Sequence, residues 1–279
     1  GKGPELPNGT SEIQIPSPSG PIAARVYRPS QEEMLPALVF YHGGGFVIGD
    51  LETHDKECRL LCANAGCIVI AVDYRLAPES PFPAAVEDAW AALQWVASEG
   101  EQLGVDTARL AVGGDSAGGN LAAVTALMAR DASIDLKLQM LVYPATDASK
   151  HHDSFSENVD GPLLTVEVIE WFWSHYLGSA SESEVRNDWR FSPAKAGDHS
   201  GLAPAYIATC SADPLRDEGN AYAVQLSAAG VAVQHSLFEG QPHTLFQMFN
   251  VCEGAKDLIG ECATALKTAP KKVPKSGTC

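Results

Sequence analysis

One serine in this chain stands between glycines in a setting that could make it a nucleophile. The stretch Gly114–Gly118 has the sequence GDSAG, the G-x-S-x-G form in which a strained turn from strand to helix exposes a serine. The apolar run 109–113 predicts the strand, and the Ala- and Leu-rich run 120–128 predicts the helix. The pattern therefore predicts Ser116 as a nucleophile.

A run of three glycines could supply the charge stabilisation that acyl transfer needs. The run 43–45 follows His42 and a predicted strand at 37–41. Glycines expose backbone amides that can bind an oxyanion. No Lys-Ser or Lys-Thr pair follows and no G-x-G-x-x-G spacing occurs, which excludes a P-loop and a dinucleotide site. The predicted oxyanion donors are the amides of Gly43, Gly44, Gly45 and Ala117.

A serine nucleophile needs a base. In folds that carry the G-x-S-x-G turn, the catalytic residues follow along the chain in the order serine, acid, histidine. His243 lies in a turn-rich loop just past the predicted strand 231–238. His235 lies within that strand, which is a poor position for a site built at strand ends. We therefore predict His243 as the general base.

The acid should follow the preceding strand, which is predicted at 205–210. Asp213 is the first carboxylate after it, and Pro214 stiffens the turn. Asp217 and Glu218 come about one helical turn later and are expected at the N-terminus of the following helix. Asp213 is the predicted partner of the base.

Other chemistry is weakly represented. Ser192–Lys195 has the S-x-x-K pattern, but proline after the serine disfavours its helical setting and no partner motif occurs. There is no H-E-x-x-H, and the pair His151–His152 has no metal-ligand spacing. No metal or other cofactor is predicted.

The elements that must position these residues alternate between strands and helices. Two strands at 11–16 and 22–28 precede strands at 37–41, 67–73, 109–113, 137–143, 205–210 and 231–238. Helices are expected near 53–65, 83–98, 117–130, 217–229 and 250–267. This alternation predicts an α/β fold, a mostly parallel eight-stranded sheet with helices on both faces. Residues 1–279 are expected to form one domain, with a basic tail at 271–276 that frays.

Residues 144–204 interrupt the alternation and are predicted to contain a small cap insertion. Thr165–Leu177 is expected to be a helix with aromatic residues on more than one face. Ordinary packing on the body and a wall over the site both remain open for it. In the second case the candidate pocket residues are Phe46, Trp171 and Phe172.

The formal net charge of −16 opposes binding to nucleic acid and to anionic membranes. The seven cysteines are scattered with neither disulfide nor zinc spacing, and Cys58 and Cys62 would share a helix face. No signal or membrane-spanning segment is evident. We expect a cytoplasmic protein with a small-molecule ester substrate, and a homodimer is compatible with the sequence.

Four segments in this order resemble the hormone-sensitive-lipase-like family of α/β-hydrolases, called family IV among bacterial esterases. They are His42–Gly45 (HGGG), Asp73–Glu79 (DYRLAPE), Gly114–Ala122 (GDSAGGNLA) and Asp213–Gly219 (DPLRDEG). The resemblance spans residues 11–268 and implies an α/β-hydrolase fold with a Ser116–Asp213–His243 triad. It also implies that His42 and the 73–79 segment hold the glycine loop, with Gly44 and Gly45 the favoured donors.

The resemblance implies a serine carboxylesterase for short- to medium-chain acyl esters, acting through an acyl-enzyme. An amidase or thioesterase on the same triad, and a non-catalytic small-molecule receptor of this fold, remain alternatives. Two departures stand out. Thr244 replaces the glycine that the family usually has after its histidine, and only Gly1–Thr10 precede the first strand, where relatives carry cap helices. Either this sequence lacks cap helices that precede it in the full protein, or the cap is reduced to the 144–204 insertion.

Overall fold

A computed structural model describes residues 3–31, 34–149, 152–180 and 182–269 of the chain. His151, Cys279 and the tail at 271–276 lie outside the described residues. Eight strands form one sheet: β1 (Thr10–Ile15), β2 (Ile22–Tyr27), β3 (Leu35–Tyr41), β4 (Ile68–Val72), β5 (Val105–Asp115), β6 (Leu136–Val142), β7 (Ala205–Ala212) and β8 (Val233–Pro242).

Eight α-helices lie between or after these strands in the described part of the chain. They are α1 (Asp55–Ala65), α2 (Ala84–Glu99), α3 (Ala117–Asp131), α4 (Asp153–Glu157), α5 (Val166–Leu177), α6 (Glu182–Asn187), α7 (Arg216–Ala228) and α8 (Glu253–Thr268). Helices α4 to α6 lie in the 144–204 segment, and the sequence predicted only α5 among them. The other two have five and six residues, too few to show a helical period.

The sheet has the order β1-β2-β4-β3-β5-β6-β7-β8, with β1 and β2 antiparallel and β3 to β8 parallel. The parallel strands are apolar on both sides because both faces of the sheet are covered. Val39 faces a core with α2, α3 and α7, whereas its neighbour Leu38 faces one with α1 and α8. The predicted mostly parallel eight-stranded sheet with helices on both faces is confirmed.

Parallel strands bring their carboxyl ends to one edge of the sheet, and functional loops gather there. Ser116 follows β5 directly, His243 follows β8 directly, and Asp213 follows β7. The glycine loop leaves the end of β3 at the same edge. In the part of the chain that the structure describes, no helix is both long and apolar enough to cross a bilayer.

Candidate active site

The turn that carries Ser116 is as tight as the sequence predicts. Strand β5 ends at Asp115 and α3 begins at Ala117, so one residue makes the whole connection, with φ +55° and ψ −118°. A Cβ on either Gly114 or Gly118 would overlap the carbonyl oxygen of Tyr41. The two glycines are therefore required by the close approach of β3, and the turn exposes the serine side chain.

Ser116, His243 and Asp213 form one hydrogen-bonded chain. His243 Nε2 lies 2.9 Å from Ser116 Oγ, and His243 Nδ1 lies 2.7 Å from Asp213 Oδ2. The other carboxylate oxygen of Asp213 accepts from the Leu215 amide at 2.8 Å. Because a carboxylate only accepts, Nδ1 carries the proton, which leaves Nε2 free to accept from the serine hydroxyl.

The imidazole of His243 is held by a ring contact as well as by its hydrogen bonds. The ring of Tyr143 packs against the imidazole of His243 with their centroids 4.5 Å apart. His243 and Asp213 are both buried, so water does not compete for their hydrogen bond. His235 lies on β8, where its Nε2 lies 2.9 Å from Thr209 Oγ1, and it takes no part in this chain.

The two carboxylates after Asp213 lie in the first turn of α7, as predicted, but their side chains bind other segments. Asp217 accepts from the Ser154 amide at 2.9 Å. Glu218 is buried and accepts from the Thr146 amide at 2.6 Å. Burial raises the pKa of Glu218 well above its usual value, although the backbone amides of Thr146 and Asp147 oppose the shift. These contacts anchor the 144–204 segment to the body.

The glycine loop offers amides of two kinds. The Gly43 amide donates to Asp115 Oδ1 at 2.9 Å, so this predicted donor is already engaged. Gly44 and Gly45 have φ of +120° and +60°, and a Cβ would meet Ile48 at the first and the Phe172 ring at the second. Their amides have no hydrogen-bond partner among the described residues. They face the cavity that contains Ser116 and Ala117.

The loop is fixed by the segments that the sequence pointed to. The Tyr74 hydroxyl donates to the His42 carbonyl at 2.7 Å, and the two rings stack at 4.4 Å. The Ala77 amide donates to the Phe46 carbonyl at 2.9 Å. The Phe46 ring stacks on Tyr176 of α5 at 4.0 Å, nearly parallel. These contacts account for the left-handed backbone of Phe46, with φ +65°.

A cavity of about 440 Å³ opens above the serine. Of the three candidate pocket residues, Phe46 and Phe172 line it and Trp171 does not; the Trp171 side chain is 50% exposed. Trp173, which the sequence did not select, lines the cavity and is buried. The apolar surface is completed by residues from the 163–173 stretch and from two loops: Ile48, Leu163, Leu164, Val168, Ile169 and Leu215.

One corner of the cavity is polar and was missed by sequence reasoning. It contains Thr53, His54, Asp115 and Gln247. Burial alone would raise the pKa of Asp115, but the charge and hydrogen bond of His54 lower it. Burial alone would likewise lower the pKa of His54, but Asp115 raises it. Asp115 stands inside the GDSAG motif, whereas nothing in the local sequence distinguishes His54.

The side chains that commonly bind metals or form disulfides are dispersed in the described part of the chain. Within the described ranges, no cluster of three or more His, Cys, Asp or Glu side chains is arranged to hold a metal. The six cysteines in those ranges are all unpaired, and five of them are buried. Cys58 and Cys62 lie on the buried face of α1, as their spacing predicted.

Fold and site together define an α/β-hydrolase. A sequence profile of the alpha/beta hydrolase fold matches residues 38–247, three quarters of the chain, and the chain belongs to this family. The resemblance to its hormone-sensitive-lipase-like branch is confirmed. The family membership and the names of the relatives also confirm the predicted class, carboxylic ester hydrolase.

The relatives match over most of their length. The carboxylic ester hydrolase LipN of Mycobacterium tuberculosis is 44% identical over 277 residues, which cover 97% of this chain and 73% of LipN. The ethyl acetate hydrolase of Pseudomonas putida is 41% identical, with coverage of 94% and 83%. Among solved structures, an esterase of Pyrobaculum calidifontis has a TM-score of 0.90 and 44% identity, covering 95% of this chain and 87% of that one.

Proposed function

We propose that this protein is a serine carboxylesterase for short- to medium-chain acyl esters, with Ser116 as nucleophile, His243 as general base and Asp213 as the group that orients the base. The observation that carries the proposal is the unbroken hydrogen-bond chain from Asp213 through His243 to Ser116. Its geometry is that of a serine, histidine and acid acting together.

The reaction proceeds in two halves. Ser116 Oγ attacks the ester carbonyl carbon while its proton passes to His243 Nε2, and the carbonyl electron pair moves onto oxygen. The tetrahedral intermediate then collapses, and the leaving alcohol takes the proton from His243. Water repeats the sequence on the acyl-enzyme, which releases the carboxylic acid and restores the serine. Asp213 stays ionised and stabilises the imidazolium that forms.

We assign the oxyanion hole to the amides of Gly44, Gly45 and Ala117. Gly43 is left out because its amide is bound to Asp115. The three amides border the same cavity as Ser116, which is where a carbonyl under attack would lie. Preorganised donors of this kind need no rearrangement as charge develops on the oxygen.

The acyl range follows from the wall of the cavity. We propose that the 144–204 insertion acts as a cap, with Phe172 set directly over Gly45 and Trp173 beside it. Large rings limit the depth available to an acyl chain, and an added methylene helps only while it can be buried. The ethyl acetate hydrolase among the relatives has a name that agrees with a short acyl group. We also propose a cytoplasmic location, which the unpaired cysteines support.

The test is hydrolysis of p-nitrophenyl esters from acetate to palmitate by the wild-type protein, by Ser116→Ala and by the surface control Ser98→Ala. We expect Ser116→Ala to lose hydrolysis with an unchanged circular dichroism spectrum, and Ser98→Ala to match the wild type. The largest kcat/KM should fall between acetate and hexanoate. Undiminished turnover by Ser116→Ala contradicts the triad, and a maximum at decanoate or longer contradicts the acyl range.

Matched anilide and thioester substrates address the alternatives. An amidase or thioesterase would hydrolyse the anilide or the thioester of the same acyl group with a higher kcat/KM than the ester. A receptor of this fold would bind the ester and hydrolyse none of the three.

A further inference from the structure

A second histidine beside the candidate active site has no part in the triad. His54 directly precedes α1 and is only 4% exposed, and its Nε2 lies 3.2 Å from Asp115 Oδ1. A cation at the N-terminal end of a helix is unfavourable by itself, because the helix dipole is positive there. A buried carboxylate at hydrogen-bond distance reverses that preference.

A hydrogen-bond acceptor lies against each of the two ring nitrogens of His54. Thr53 Oγ1 donates its single proton to the Asp50 carbonyl at 2.8 Å, so it can only accept from His54 Nδ1, which lies 3.0 Å away. On the other side, Nε2 faces the carboxylate of Asp115, which only accepts. A ring that donates from both nitrogens is an imidazolium.

The carboxylate that binds His54 also binds the oxyanion loop. Asp115 Oδ1 accepts from the Gly43 amide at 2.9 Å, one residue before Gly44. Asp115 is buried and immediately precedes the nucleophile. The ion pair thus joins the start of α1 to the end of β5 and to the glycine loop. Loss of the positive charge would leave a buried carboxylate without its counter-ion, an arrangement that strongly favours rearrangement.

The other groups near His54 differ in charge. His42 follows the end of β3, and its ring centroid lies 5.5 Å from that of His54. Burial is the main cause and the charge of His54 the second cause that lower the pKa of His42 to about 4, so His42 stays neutral. On α1 lies Glu57, which pairs with Lys56 at 3.0 Å. Asp50 lies in the preceding loop, and its charge favours the cation.

Two uncharged groups complete the surroundings. The Gln247 side-chain nitrogen Nε2 lies 3.0 Å from His54 Nε2, and a 180° rotation of this amide presents its oxygen as an acceptor to an imidazolium. The ring of Phe40 lies 6.2 Å from the imidazole, centroid to centroid. Asp115 is therefore the charged group in direct contact with the ring among the described residues.

We propose that His54 is a positioning residue whose imidazolium fixes Asp115 and, through Asp115, the loop that presents the Gly44 and Gly45 amides. The proposal rests on the oxyanion hole assigned above. It makes turnover depend on the charge of His54. Asp115 raises the pKa of His54, so the folded protein keeps this charge to a higher pH than the unfolded chain does. The charge is lost as pH rises through the pKa of the folded state, so kcat should fall on the alkaline side.

The experiment measures kcat and KM for an acetate ester from pH 6 to 10, with the hydroxide background subtracted, for the wild type, H54Q and the control H235Q. Glutamine keeps a side-chain donor at position 54 without a titratable charge. We expect H54Q to lower kcat at pH 7 about tenfold and to change KM less than twofold. The loss in kcat is smaller than the roughly 100- to 1000-fold that removal of an oxyanion-hole donor causes, because the donors themselves remain. Its kcat should also lose the alkaline decline. H235Q should match the wild type.

Two results overturn the proposal without touching the esterase assignment, which the Ser116→Ala variant tests separately. One is an H54Q profile that superimposes on the wild type. The other is a neutral His54 ring at pH 7.5 in ¹⁵N-histidine NMR of the wild-type protein, where we expect protons on both nitrogens. The NMR measurement needs no variant at position 54, so it decides the matter even where H54Q does not fold. The ring is assigned through its neighbours Phe40 and His42.

Discussion

The two sides of the cavity are built in different ways. The floor, made of Ser116, Ala117 and the glycine run 43–45, is fixed by backbone: positive φ angles, close strand contacts and amide hydrogen bonds. The wall is made of side chains from the 163–173 stretch, and some are open to solvent, such as Leu163 with 65% exposure. The floor tolerates no added atom at several positions, whereas the wall can change shape without moving the main chain.

This difference separates chemistry from selectivity within one cavity. The proposed oxyanion donors are backbone amides, which most side-chain substitutions leave in place, so the proposed chemistry depends on the local backbone of the site. Side chains on α5 can be exchanged one at a time, so under the proposed function the acyl range can vary while the reaction stays the same. The following variants test that separation, beginning with the largest expected effect.

Removal of the base should have the greatest effect on the floor. We expect His243→Ala to lower kcat by about four orders of magnitude or more, because the serine proton then has no acceptor. His235→Ala removes an imidazole from β8 that lies against Thr209, and it should retain turnover. Steady-state kinetics on p-nitrophenyl acetate compare the two. The opposite ranking would show that the base lies elsewhere.

A single methyl group should break the floor through its packing. In Gly118→Ala the new Cβ overlaps the Tyr41 carbonyl oxygen, so we expect a loss of at least about 3 kcal/mol in the free energy of unfolding. Gly260→Ala is the matched control at an exposed position of α8, where a Cβ meets nothing within 4 Å. It should stabilise the protein by about 0.5–1 kcal/mol. Urea unfolding measures both, and equal stabilities would contradict the close approach.

A change in the wall should alter selectivity and leave the chemistry intact. Phe172→Ala opens space above Gly45, and each methylene that becomes buried adds about 0.8 kcal/mol, close to fourfold in kcat/KM. We expect its acyl-chain optimum to move to longer esters while acetate turnover changes little. Trp171→Ala, on the half-exposed side of the same helix, should keep the wild-type profile. A shift in Trp171→Ala of equal size would place the wall differently.

The smallest expected effect concerns the anchor between wall and body. Burial raises the pKa of Glu218, so the folded state binds its proton more tightly than the unfolded state. The stabilisation that comes from binding this proton is therefore complete below the unfolded-state pKa of about 4.3. It declines as pH rises through the higher pKa of Glu218 in the folded state. Glu218→Gln keeps the acceptor for Thr146 and should flatten this decline in urea unfolding between pH 5 and 9. A slope identical to that of the wild type would show that Glu218 does not titrate there.

The turn that carries Ser116 could be predicted from the sequence because its signals lie close together along the chain. The glycines around Ser116, the strand before them and the helix after them all stand within about twenty residues, and each has a composition that indicates its structure. The order of Asp213 and His243 along the chain followed from strand ends. The same reasoning gave all eight strands, although β5 begins earlier and β8 extends further than the apolar runs indicated.

The wall was predicted less well because its orientation depends on tertiary packing. Helix α5 is aromatic on more than one face, so the sequence could not show which face meets the cavity. The structure turns 168, 169, 172 and 173 inward, and Trp171 falls outside that set. Similarly, His54 and Asp115 are 61 residues apart and meet only through the order of β3 and β5 in the sheet.

The contacts of Phe46 have a consequence for how the glycine loop becomes ordered. This residue joins the glycine loop to the 73–79 segment through its carbonyl and to α5 through its ring. A chain that has formed its strands but not these distant contacts has a serine on its elbow and no ordered amides beside it. The order of the glycine loop thus depends on contacts that are distant along the chain, and the formation of the sheet and the serine turn alone does not supply it.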